Sequence, residues 1–219
     1  MKKVILFAVL TSISVLSFAD SGFLDDYSML QAVNENDRVY ISPEFLENGA
    51  HYDSVMIDLP EIFISPDSRY KGMKGDDMTA WAESFREAII AEIGDSYKVV
   101  EEAGDGVLFV SLALADVYLK KAKRGIFSYT PIGALTHAAK RAMENDFQKK
   151  ISVIALSIEL EVIDSQSGAI LGQSVEQRGN TDEPTTWDEV NALMLSYGVR
   201  FTCRMDNTRR NEQVNCREM

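Results

Sequence analysis

The stretch ISVIALSIELEVIDSQSGAILGQSVEQRG, residues 151–179, constrains the fold more than any other part of the chain. Ile154, Leu156, Ile158, Leu160 and Val162 recur at every second position, while Ser157, Glu159 and Glu161 fill the positions between. A period of two places these sets on opposite faces of a strand. The SQSG that follows, with Gly168 free to take a positive φ, reads as the turn of a hairpin. Such a hairpin has one apolar face, and that face must be covered by something. VLFVSLALADVYL, residues 107–119, is apolar on both faces, as expected of a strand in the middle of a sheet.

Helices supply the cover. From Asp77 to Ile93, Met78, Trp81, Ala82, Phe85, Ala88, Ile89 and Ile93 recur at helical spacing, with Asp76 or Asp77 as the expected cap and Gly94 as the stop. IGALTHAAKRAMEN, residues 132–145, predicts a second helix. A third opens at a capping box, Thr186 with Glu189 three residues on, and carries Trp187, Val190, Met194, Tyr197 and Phe201 as its apolar stripe. Shorter strands are expected at RVYIS, in YDSVMIDLPEIFI and at YKVVEE; Val55, Ile57 and Leu59 should share one side, and Pro60 forces a break or an edge position. The order of elements predicts a single α+β domain, a largely antiparallel or mixed sheet with about three packed helices. Its expected limits are residues 37–205, after an irregular lead-in at 20–36 and before a tail at 206–219.

The N-terminus places the chain in the cell. Lys2 and Lys3 precede an apolar run from Val4 to Leu16, and Ser17-Phe18-Ala19 puts small residues where a signal peptidase requires them. The run falls short of the roughly 20 residues of a membrane span. Cleavage after Ala19 is expected, with Asp20 as the first mature residue and the periplasm as destination. Loss of Lys2 and Lys3 leaves 20 basic against 34 acidic residues, a net charge of −14. Such a surface repels nucleic acid, which is not an expected partner. Cys203 and Cys216 are an even pair in a chain bound for an oxidising compartment; an internal disulfide stapling the tail is the expected state, against two thiols or an intermolecular link.

Motifs for chemistry are sparse. His51 and His137 have no histidine or cysteine at ligand spacing, so no metal site is expected. Ser174 lacks the following glycine of a nucleophile elbow, and there is no glycine-rich phosphate loop, so neither a catalytic serine nor a nucleotide cofactor is expected. Glu159 and Glu161 share a strand face about 7 Å apart and are the one carboxylate pair suited to glycan chemistry; alternating charge is also what a solvated sheet face shows. In LKKAKRGIFSYTPIGALTHAAKRAM, Lys120, Lys121, Lys123 and Arg124 form a cationic cluster on an acidic protein, followed by Phe127 and Tyr129. Basic residues beside aromatics suit an anionic envelope surface or an envelope protein, and these six residues are the candidate contact surface.

Several stretches in order, SGFLDDYSML, YDSVMIDLPEIFISPDSRYKGM, WAESFREAI, GVLFVSLALADV, IELEVIDSQSGAILG and TTWDEVNALM, resemble the bacterial envelope family called domain of unknown function 3313. The resemblance implies an envelope protein and brings no catalytic residue. Family members are typically lipidated at a cysteine; FADSGFL has none, so no lipid anchor is expected here. The expected function is that of a non-enzymatic, secreted binding or accessory module. A cell-wall or glycan hydrolase using Glu159 and Glu161 is the alternative, and a soluble carrier of an apolar ligand a third possibility.

Overall fold

The computed structural model describes residues 20–121, 151–178, 187–212 and 214–216. The expected helix at 132–145, the leader, His137 and Thr186 lie outside the described residues.

Among the described residues, eight strands form one mixed sheet: β1 (Gln31–Ala32), β2 (Asp37–Ile41), β3 (Ser54–Ile57), β4 (Glu61–Ile64), β5 (Lys98–Val99), β6 (Val107–Lys121), β7 (Ile151–Asp164) and β8 (Ile170–Arg178). Their order is β1-β2-β8-β7-β6-β3-β5, with β4 also on β6. Among the long central strands β7 runs antiparallel to both β6 and β8, whereas β3 and β4 run parallel to β6. With α1 (Pro43–Asn48), α2 (Gly75–Ile93) and α3 (Trp187–Arg210), this is the expected α+β architecture.

The apolar face of β7 follows its period from Leu156 onward; before it, register shifts against β6 put Val153 and Ile151, not the expected Ile154, in the core cluster. Leu156, Ile158, Leu160 and Val162 are buried with Leu108, Val110, Leu112 and Leu114 of β6 beneath α2 and α3. Phe85 of α2 meets Tyr197 of α3 edge to face, and Tyr197 stacks on Phe201. The helices approach closely at Gly198, where a Cβ would lie 3.1 Å from Glu92. The expected stripe of α3 is buried at Val190, Met194, Tyr197 and Phe201, and Met205 extends it.

Several local expectations are corrected. The residue before α2 is Lys74, with no side-chain cap; Asp76 and Asp77 fall inside the first turn, where their charge meets the helix dipole. Val55 and Ile57 are buried, but Leu59 is 42% exposed because β3 ends before Pro60. YKVVEE contributes only Lys98–Val99 to the sheet. The lead-in contains the two-residue β1, and α3 runs through residue 205 to Arg210. The short helix α1 was not foreseen, although Ser42 caps it by accepting from the Phe45 N–H at 3.1 Å and Pro43 opens it.

Candidate functional site

Of the candidate contact surface, Lys120 and Lys121 are described and end β6, opposite Ser152 and Ile151 at the start of β7. The Lys120 ammonium sits 5.7 Å from the centre of the Tyr118 ring, and Lys121 is exposed. Lys123, Arg124, Phe127 and Tyr129 lie outside the described residues.

Glu159 and Glu161 do share a face of β7, yet that face is not the solvated one that their alternation suggests. Register places Ala113 and Val175 beside Glu159, and Ser111 and Gln173 beside Glu161. The residues before β1 cover part of it. Tyr27 donates its hydroxyl proton to Glu159 Oε2 at 2.6 Å, while the Tyr27 hydroxyl oxygen itself accepts from the N–H groups of Gly22 and Leu24, each at 3.2 Å. Leu24 is buried, and the Phe23 ring meets Phe63 of β4 edge on. Asp20 pairs with Arg38 of β2 at 3.0 Å, and that guanidinium also lies over the Tyr27 ring.

Glu159 is 0% exposed in consequence, and its Oε1 has no hydrogen-bond partner among the described residues. Burial raises its pKa from the usual carboxylate value and Asp116 adds to the shift, against the opposing pull of the Tyr27 and Ser21 hydroxyls and of Arg38. Burial, then the charge of Asp25, raises Glu161. Asp116, raised by burial, sits at a bulge in β6 with φ +49°, a left-handed conformation that aspartate tolerates better than most residues. Among the described residues, no three His, Cys, Asp or Glu side chains gather where they could hold a metal ion. His51 faces Asp105 at 3.2 Å on the surface.

A second cluster, absent from the sequence expectations, lies on the helix-covered face. Glu176 of β8, also 0% exposed, receives hydrogen bonds from Arg178 (2.5 Å), Arg200 (3.2 Å) and Arg204. Arg178 also binds Asp37 at 2.9 Å. Arg204 would lose its proton more easily from burial alone, but the Glu176 carboxylate outweighs that and raises its pKa. This is a clamp from α3 to the sheet. The visible hint was the i, i+4 spacing of Arg200 and Arg204 beside the apolar stripe.

Cys203 of α3 is bonded to Cys216, with Cα atoms 5.7 Å apart, as expected. Asn207 pins the same tail by donating to the Val214 carbonyl at 2.8 Å and accepting its N–H at 3.1 Å. Among the described residues no helix is long and apolar enough to cross a membrane.

No curated protein matches the chain. Among solved structures, a dodecameric PelC variant from Paraburkholderia phytofirmans is 11% identical, with 73% of this chain and 90% of that one covered at a TM-score of 0.38. A second PelC dodecamer from the same organism gives 11%, 66%, 84% and 0.36. A PDZ domain protein from Parabacteroides distasonis is 11% identical over 83% of this chain and 38% of that one, at 0.32. Likeness at these scores carries no argument about fold or function. The family model described as protein of unknown function DUF3313 matches residues 19–198, most of the length, and carries the resemblance seen in the sequence. The chain belongs to the DUF3313 family.

Proposed function

We propose that the protein is a non-enzymatic, secreted envelope protein that acts in the periplasm as a binding or accessory module. The leader and the cysteine pair support the compartment, since disulfides persist where the medium is oxidising. The observation that carries the reading is where the two groups of charged residues stand. A general acid or base must reach its substrate's proton within hydrogen-bond distance, whereas Glu159 is fully buried and held by Tyr27. Lys120 and Lys121 stand at the end of β6, where the basic and aromatic residues of the candidate contact surface begin. In this reading Lys120, Lys121, Lys123 and Arg124 attract an anionic envelope surface or protein, and Phe127 and Tyr129 add apolar contact.

The test is co-sedimentation of the mature protein with an isolated envelope fraction, over a range of salt. Attraction between exposed charges weakens as the screening length falls from about 10 Å at 0.1 M to about 3 Å at 1 M. Replacing the four basic residues with serine should remove most of the salt dependence of binding. Retention of the full salt dependence by that variant refutes the proposed surface.

A further inference from the structure

We propose that residues 20–30 are a proton-linked latch, closed over a polar face of the sheet and opening as pH rises. The latch is built around one oxygen. The Tyr27 hydroxyl gathers the N–H groups of Gly22 and Leu24 and the Ser21 hydroxyl, folding the segment round itself, and fastens it to Glu159. Few apolar groups hold it down: Leu24 is its one buried side chain, with Phe23 at the β4 edge. A segment with so little buried apolar contact opens at low free energy. Beneath it, Glu159 Oε1 and Ser157 Oγ are buried without hydrogen-bond partners among the described residues, so an open latch presents groups able to bind a polar ligand.

Charge makes the opening depend on protons. The groups that meet here are Asp20, Asp25 and Tyr27 from the latch, Arg38 from β2, Asp116 from β6, and Glu159 and Glu161 from β7. Asp26 is turned to Ser28 within the latch itself. On β8, the residues of this face are Gln173, Val175 and Gln177, which do not titrate. Arg38 is the one cation of the set, and Asp20 takes part of its charge. Closing the latch therefore buries Glu159 and brings Asp25 up to Glu161, and both carboxylates have raised pKa values. A carboxylate raised in the closed state favours closure through its bound proton; that contribution is full below the open-state pKa and is lost as pH rises to the closed-state pKa. The closed latch binds protons more tightly than the open one, so low pH closes it and rising pH opens it.

Hydrogen–deuterium exchange of residues 20–30 in the mature protein, from about pH 4 to 8.5 and corrected for the intrinsic rate, reads the opening constant. One linked carboxylate raises that constant by up to about tenfold per pH unit between its open-state and closed-state pKa values, and the constant levels off above the latter. Glu159→Gln keeps an acceptor for Tyr27 and removes the charge, so it should flatten the profile and protect the segment at pH 8. Asp25→Asn, on an exposed residue, should reduce opening at pH 8 without disturbing the core. Tyr27→Phe should expose the segment at every pH. A pH-independent opening constant in the wild type overturns the proposal, as does a wild-type slope retained by both charge-removing variants.

Discussion

Replacing Glu176 with glutamine tests whether α3 is held to the sheet by charge. The carboxylate is fully buried and accepts from three guanidinium groups. Arg178 keeps Asp37 when the charge is removed, and Arg178 and Arg204 are each about a quarter exposed, so water compensates them in part. Arg200 is different. It is 8% exposed, and the Ser196 hydroxyl is its remaining side-chain hydrogen-bond partner among the described residues. Removing one member of a buried ion pair destabilises by roughly 3–5 kcal/mol; with one buried guanidinium rather than three left without a counter-charge, the expected loss is about 3 kcal/mol, at the lower end. For a chain of this size that lowers Tm by about 6–12 °C. Urea unfolding followed by far-UV circular dichroism should show the midpoint falling with the slope unchanged. In an Arg200→Met background the same substitution should lose most of its effect, because the orphaned charge is gone. A loss under about 1 kcal/mol in the single variant, or an equal loss in both backgrounds, refutes this account of the cluster.

Two further outcomes are expected. Non-reducing mass analysis should find Cys203 and Cys216 joined, and Cys203→Ser with Cys216→Ser should lower stability by up to about 3 kcal/mol while the fold survives, since the bridge closes a short loop at the end of α3. Gly106→Ala should destabilise by about 2 kcal/mol in the same urea assay: its φ is +68° and the new Cβ would lie 2.9 Å from the His51 carbonyl oxygen; an unchanged midpoint would mean that the β5–β6 turn relaxes.

The β7–β8 hairpin and the long helices were legible because each is a local period with turn residues at its ends. Glu159 shows where that legibility stops. Alternation assigns it correctly to the face opposite Ile158, but the cover over that face is Tyr27, 132 residues away. Glu176 was hidden for a related reason. Gly172, Ser174 and Glu176 of β8 line up with Val162, Leu160 and Ile158, while Gln173, Val175 and Gln177 take the other side, so neither face announces itself as core. The partners that make a buried glutamate tolerable there come partly from α3, 24 and 28 residues on. The parallel pairing of β3 and β4 with β6 likewise depends on contacts that no local pattern encodes. Helix α1 is the exception, since its Ser42-Pro43 start was readable and only its six-residue length concealed it.

Pairing a binding curve with a melting curve for the Phe127→Ala, Tyr129→Ala variant tests the proposed binding role most directly. If these rings form the contact surface, co-sedimentation with envelope should weaken at every salt concentration, because apolar burial, at roughly 25 cal/mol per Å², does not depend on screening. Tm should stay at the wild-type value. Unchanged binding together with a fallen Tm would place both rings in the core and contradict the proposal.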